Sequence, residues 1–124
     1  MRTLIVAAAL VLAANVPAKA ASFNCTSAKL PAEVLICQND NLSAADEINA
    51  SIYSQLRGWV PNKKVFNANE RKWIKDRNAC GYDLRCLKAQ YENHIAYLCK
   101  LSDATEAKVE DCDQEPTEML EKDE

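Results

Sequence analysis

Six cysteines and a single histidine are the residues of this 124-residue chain whose chemistry is most restrictive. Cys25, Cys37, Cys80, Cys86, Cys99 and Cys112 form an even set, as a disulfide framework requires. A zinc site is disfavoured because no C-x2-C pair is present and the one histidine, His94, stands alone; no metal and no cofactor is expected. His94 falls mid-helix beside Ile95 and is read as a partly exposed side chain rather than a general base. The adjacent carboxylates Asp46 and Glu47 lie in a helix's first turn, where capping accounts for both. Glu70 and Asp76 are six apart and do not share a helix face, so they are expected in solvent or paired with Arg71, Lys72, Lys75 and Arg77. No Ser or Thr sits in a glycine-flanked nucleophile turn. No catalytic residue is therefore assigned, and a non-enzymatic role is expected.

The run Arg71-Lys72-Trp73-Ile74-Lys75-Asp76-Arg77 is the richest in charge. Basic residues beside an aromatic can serve a nucleic acid. The acidic overall balance, a net charge of −3, argues against that partner. The run reads as an amphipathic helix, with Trp73 in the core and the charges outside. Three glycosylation sequons in form begin at Asn24, Asn41 and Asn49; two of them would decorate a disulfide or a helix start, and they are read as coincidental.

Those residues must be held by something, and composition narrows what. Two glycines disfavour a P-loop, a Rossmann domain or an all-β sandwich, which need glycine at turns and phosphate contacts. Met1-Arg2-Thr3, the apolar run over residues 4–14 and Ala18-Lys19-Ala20 have the form of a signal peptide over residues 1–20. The apolar run is too short to span a membrane, and Ser22-Phe23-Asn24 before Cys25 does not fit a lipid anchor. The expected product is a soluble periplasmic or secreted chain from Ala21, in a compartment where disulfides are the default. Residues 21–101 hold eleven Lys/Arg against eight Asp/Glu, whereas residues 102–124 hold two Lys against ten Asp/Glu. A mildly basic body thus carries an acidic tail of the composition that stays flexible.

The body reads as all-α, about four helices stapled by disulfides. A short helix with Pro31 in its first turn lies within 27–39. Ser43-Ala44-Ala45-Asp46 has the form of a capping box, followed by an apolar stripe of Ala45, Ile48, Ile52 and Leu56; Gly58 and Pro61 end that helix. A third begins between Pro61 and Asn67 and stops at Gly81, and Asp83 caps a fourth whose face is Leu87, Tyr91, Ile95 and Leu98. Cys86 and Cys99 would lie about 20 Å apart along this last helix, too far to bridge. Cys80 and Cys86 flank a tight turn, and Cys25 and Cys37 bracket the first helix. By elimination Cys99 meets Cys112, which would fasten the tail to the body.

Several of these residues resemble the LprI-like lysozyme-inhibitor family. The first half of the likeness is Ser22-Phe23-Asn24-Cys25, Pro31-Ala32-Glu33, Ile36-Cys37, Leu42-Ser43, Asp46 and Tyr53. The second is Glu70-Arg71-Lys72-Trp73-Ile74, Arg77, Cys80, Cys86-Leu87, Tyr91, His94-Ile95 and Leu98. It covers residues 22–98, with Glu70 where the family has Gln and His94 where it has Arg. The resemblance implies a small exported bacterial helical domain, some members of which look like lysozyme inhibitors. Together with the acidic tail it leads to the expectation of a protein partner, a cationic lysozyme or other peptidoglycan hydrolase, whose cleft is occluded. The resemblance assigns no catalytic residue and treats Trp73, Arg77 and Tyr91 as structural motif positions. The alternative is a periplasmic immunity or adaptor module with no lysozyme target.

Overall fold

The computed structural model describes residues 21–113 and Leu120; the signal-peptide reading over 1–20 lies outside the described residues. The described chain is helical, with no strand. Helix α1 is Pro31–Gln38, α2 Asp40–Leu56, α3 Lys63–Ala79 and α4 Leu84–Ala104, and single 3-10 turns occupy Cys25–Ser27 and Glu110–Cys112. Helix α4 packs along α2 as the central pair, and α3 and α1 close over them.

Local chemistry explains the boundaries. Pro31 opens α1, where its missing N–H costs nothing and its fixed φ suits a helix. The capping box expected at Ser43 is not where α2 begins. Asn39 ends α1 and starts α2, its Oδ1 accepting from Leu42 N at 2.9 Å. Ser43 instead lies one turn inside α2 and donates to the Ile36 carbonyl at 2.6 Å, satisfying an acceptor left over in the last turn of α1. Asn62 and Asp83 cap α3 and α4 in the same manner as Asn39. Between them Gly81 takes φ +58°, a left-handed conformation that disfavours side chains.

The expected core stripes are in place: Ala45, Ile52, Leu56, Leu87, Tyr91, Ile95 and Leu98 are all buried, while Ile48 packs at the edge. The three disulfides are Cys25–Cys37, Cys80–Cys86 and Cys99–Cys112, with Cα atoms 5.8, 5.6 and 5.5 Å apart. No helix among the described residues is long and apolar enough to cross a membrane.

Beyond α4 the acidic stretch folds back on the body over residues 105–113. Lys108 turns the backbone at φ +45°, a conformation that costs a non-glycine residue of order 1 kcal/mol. The turn brings Val109 into the core at 1% exposure, and Val109 N donates to Ser102 Oγ. Leu120 is buried as well. Of the flexible acidic tail expected over 102–124, residues 102–113 are instead held against the body, because Val109 is buried and Cys112 is bridged to Cys99; 114–119 and 121–124 lie outside the described residues.

Candidate functional site

The core of this bundle contains ionisable groups in two layers, each built from one residue of α2, one of α3 and one of α4. In the first, Asp46, Arg77 and Tyr91 meet. Arg77 Nη1 lies 3.3 Å from Asp46 Oδ1, and the Tyr91 hydroxyl donates to the same oxygen at 2.7 Å. Ser22 supplies its backbone N–H and its hydroxyl to Asp46 Oδ2. The carboxylate therefore accepts four hydrogen bonds, which is what makes a carboxylate at 2% exposure tolerable. The Arg77 fork is completed by Asn78 Oδ1, at 3.1 Å from Nε and 2.8 Å from Nη2. The rings of Phe23 and Trp73 each lie 5.6 Å from its guanidinium carbon, a cation–π arrangement.

The second layer lies one turn along α2 and α4 and two turns back along α3. Asn49 Oδ1 is 2.6 Å from His94 Nδ1, and Glu70 Oε2 is 3.1 Å from His94 Nε2. Glu70 Oε2 is buried and has no hydrogen-bond partner among the described residues, so its contact with His94 is one of ion-pair distance alone. Trp73 lies between the layers. It stacks on His94 at 4.1 Å, meets Tyr91 edge-on at 5.3 Å, and donates its indole N–H to the Gln90 carbonyl.

Four expectations are corrected by this geometry. His94 is buried at 7% exposure, not partly exposed, because two oxygens and an indole face enclose it. Glu70 turns inward to His94; of the two α3 carboxylates only Asp76 pairs on the surface, with Lys72. Arg77 is inside with Trp73 rather than among the outward charges, since the carboxylate of Asp46 is there to receive it. Asp46 is not a capping residue, because α2 starts six residues earlier. Trp73, Arg77 and Tyr91 are brought together: the Trp73 ring meets both the Tyr91 ring and the Arg77 guanidinium, and Arg77 Nη1 lies 3.5 Å from the Tyr91 hydroxyl. No group of His, Cys, Asp and Glu suited to a metal ion occurs among the described residues.

Burial raises the Tyr91 hydroxyl above its ordinary value of 10, and the neighbouring Asp46 charge adds to it. The folded state thus resists losing a proton that the unfolded chain gives up readily. Stability is fully present below pH 10 and declines as pH rises further, with a slope of up to about 1.4 kcal/mol per pH unit from this group. Tyr91→Phe is expected to lose about 1.5–3 kcal/mol at pH 7, where a hydrogen bond to a charged acceptor is removed, and to shed that part of the alkaline slope. Urea titrations from pH 7 to 11 measure both; parallel curves for the two proteins would contradict the assignment.

Both layers face inward, so surface recognition must be sought elsewhere. The last turn of α4 and the acidic segment after it form a groove of about 460 Å³. It is lined by Val109 and Cys112 and by the charged residues Asp103, Glu106, Asp113 and Lys108. Those four side chains are exposed. Three attachments fix the segment: the Cys99–Cys112 bridge, buried Val109, and Asp111, whose carboxylate accepts from Ser51 and Gln55 of α2. A groove of this charge suits a lysine or arginine side chain of a partner. Compared with known protein families, curated proteins and solved structures, the chain matches none.

Proposed function

We propose that the protein is an exported bacterial inhibitor that binds a cationic cell-wall hydrolase and occludes its cleft, acting by contact rather than by catalysis. One observation carries this reading: the acidic segment is held against the body as a preformed groove. Preorganised carboxylates keep their field in place and reduce the ordering cost of binding a basic partner. The three disulfides suit a non-reducing compartment, consistent with a periplasmic or secreted protein. The LprI-like resemblance supplies the class of target.

A turbidity assay with several lysozymes tests the reading. Inhibition near a one-to-one ratio is expected with at least one. For that lysozyme, the variant Asp103→Asn/Glu106→Gln/Asp113→Asn should associate about tenfold more slowly at low salt, with a flatter salt dependence. No inhibition at any ratio would overturn it. Capture of a different envelope protein without inhibition would favour the adaptor alternative, and lysis in a zymogram would favour an enzyme.

A further inference from the structure

Folding sorts the charges of α3. The helix carries six cations, Lys63, Lys64, Arg71, Lys72, Lys75 and Arg77, and two acids, Glu70 and Asp76. Arg77 and Glu70 turn inward to Asp46 and His94. Five cations and one carboxylate remain outside, and that carboxylate is occupied by Lys72. Lys64, Arg71 and Lys75 follow one another at spacings of seven and four, which puts all three within about 20° of one line along the helix. That line runs about 16 Å. Among the described residues none of the three makes an ion pair or hydrogen bond.

Apolar groups border this line. Val65 and Ile74, at 52% and 37% exposure, lie roughly a quarter-turn to either side of it. The loops at the two ends of α3 each hold an exposed aromatic, Trp59 at 53% and Tyr82 at 66%. Unpaired cations flanked by apolar and interfacial aromatic side chains are the combination that adsorbs at an anionic lipid surface, the cations on phosphate headgroups and the aromatics at their level. We propose that the exposed face of α3 is a peripheral docking surface for an anionic phospholipid bilayer. This surface is independent of the acidic groove and does not rest on the hydrolase reading. It would hold the protein at an envelope membrane while the acidic segment remains available.

The chain from Ala21, which carries every contact described above, is sedimented with vesicles of phosphatidylglycerol and phosphatidylethanolamine, and with neutral phosphatidylcholine vesicles. Binding is expected to the first alone and to fall away in 0.5 M salt, a test concentration of roughly this order being well inside the screening regime. Lys64→Gln/Arg71→Gln/Lys75→Gln should weaken it about a hundredfold. Lys29→Gln/Arg85→Gln/Lys100→Gln, with the same change of net charge at exposed positions elsewhere, should weaken it only about twofold. Far-UV circular dichroism checks that both variants are folded. Equal loss in the two variants would reduce the effect to net charge and overturn the proposal. So would binding to neutral vesicles, or retention on immobilised polyglutamate without any vesicle binding, which would assign the face to an acidic protein partner.

Discussion

Arg77→Leu is expected to destabilise the protein by about 3–5 kcal/mol, the range for removing one member of a buried ion pair. The reason lies in what remains. Asp46 would keep the donors from Tyr91 and Ser22 but lose the positive charge beside it, and a buried carboxylate without a counter-charge is costly. Arg77→Lys should fall between, since an ammonium keeps the charge but cannot reproduce the fork to Asn78 and Asp46. Asp46→Leu/Arg77→Leu should recover part of the loss by removing both charges together. Recovery stays incomplete because Tyr91 and Ser22 lose their acceptor. Equilibrium urea unfolding of these proteins, with Asp46→Leu alone to close the cycle, measures the coupling. A cost below about 1 kcal/mol for Arg77→Leu would mean the pair is solvated and the layer does not hold the helices.

That layer was the part of the fold least legible in the sequence, although its signal was present. Phe66, Glu70, Trp73 and Arg77 recur at spacings of four, three and four, so all four share one face of α3. Two charged residues on an apolar stripe read as a weak amphipathic pattern until their partners are known, and the partners come from other helices. Asp46 and Asn49 interrupt the stripe of α2, and His94 interrupts that of α4. Each choice looks unfavourable alone and becomes favourable only in company. Helix periodicity is a local property, so α1 to α4 and the Asp83 cap could be read directly. Partnership across 31 to 45 residues of sequence could not. Ser43-x-x-Asp46 misled for the same reason. It has the local form of a capping box, but Ser43 serves the end of α1 and Asp46 serves α3 and α4. The cysteine pairing was accessible because a continuous α4 keeps Cys86 and Cys99 too far apart to bridge, which leaves the cysteines that flank a turn or bracket a helix.

The charge contrast between body and tail was also visible in the sequence, but its arrangement was not. Counting gives a mildly basic body; only the inward turn of Glu70 and Arg77 reveals where its basic surface lies. The acidic residues 103–113 compose like a flexible segment, yet Val109 and Cys112 supply anchors that composition does not weigh. The bundle therefore presents a fixed acidic groove after α4 and a separate basic face on α3. Two surfaces of opposite sign on one small domain favour partners of opposite charge and oppose each other's wrong ones.

Removing the last bridge tests how firmly that groove is held. Cys99→Ser/Cys112→Ser opens a loop with a sequence separation of 13, for which chain entropy alone assigns about 3 kcal/mol. For a domain of this size the midpoint Tm should fall by roughly 10–20 °C. The loss should be uneven. Val109, its bond to Ser102, and the Asp111 contacts to Ser51 and Gln55 still hold the segment, but side-chain contacts at an exposed edge are weak against loop entropy. Amide exchange over 109–113 should therefore accelerate well beyond the change seen at the centre of α2 and α4, as the segment opens without the body. If the proposed inhibition depends on a preformed groove, the variant should retain its charge yet associate more weakly. Its deficit should then lie mainly in dissociation, whereas neutralising the carboxylates slows association. Uniform exchange across the domain would show that the segment and the bundle unfold as one unit, and unchanged binding would show that charge, not its placement, is what the partner reads.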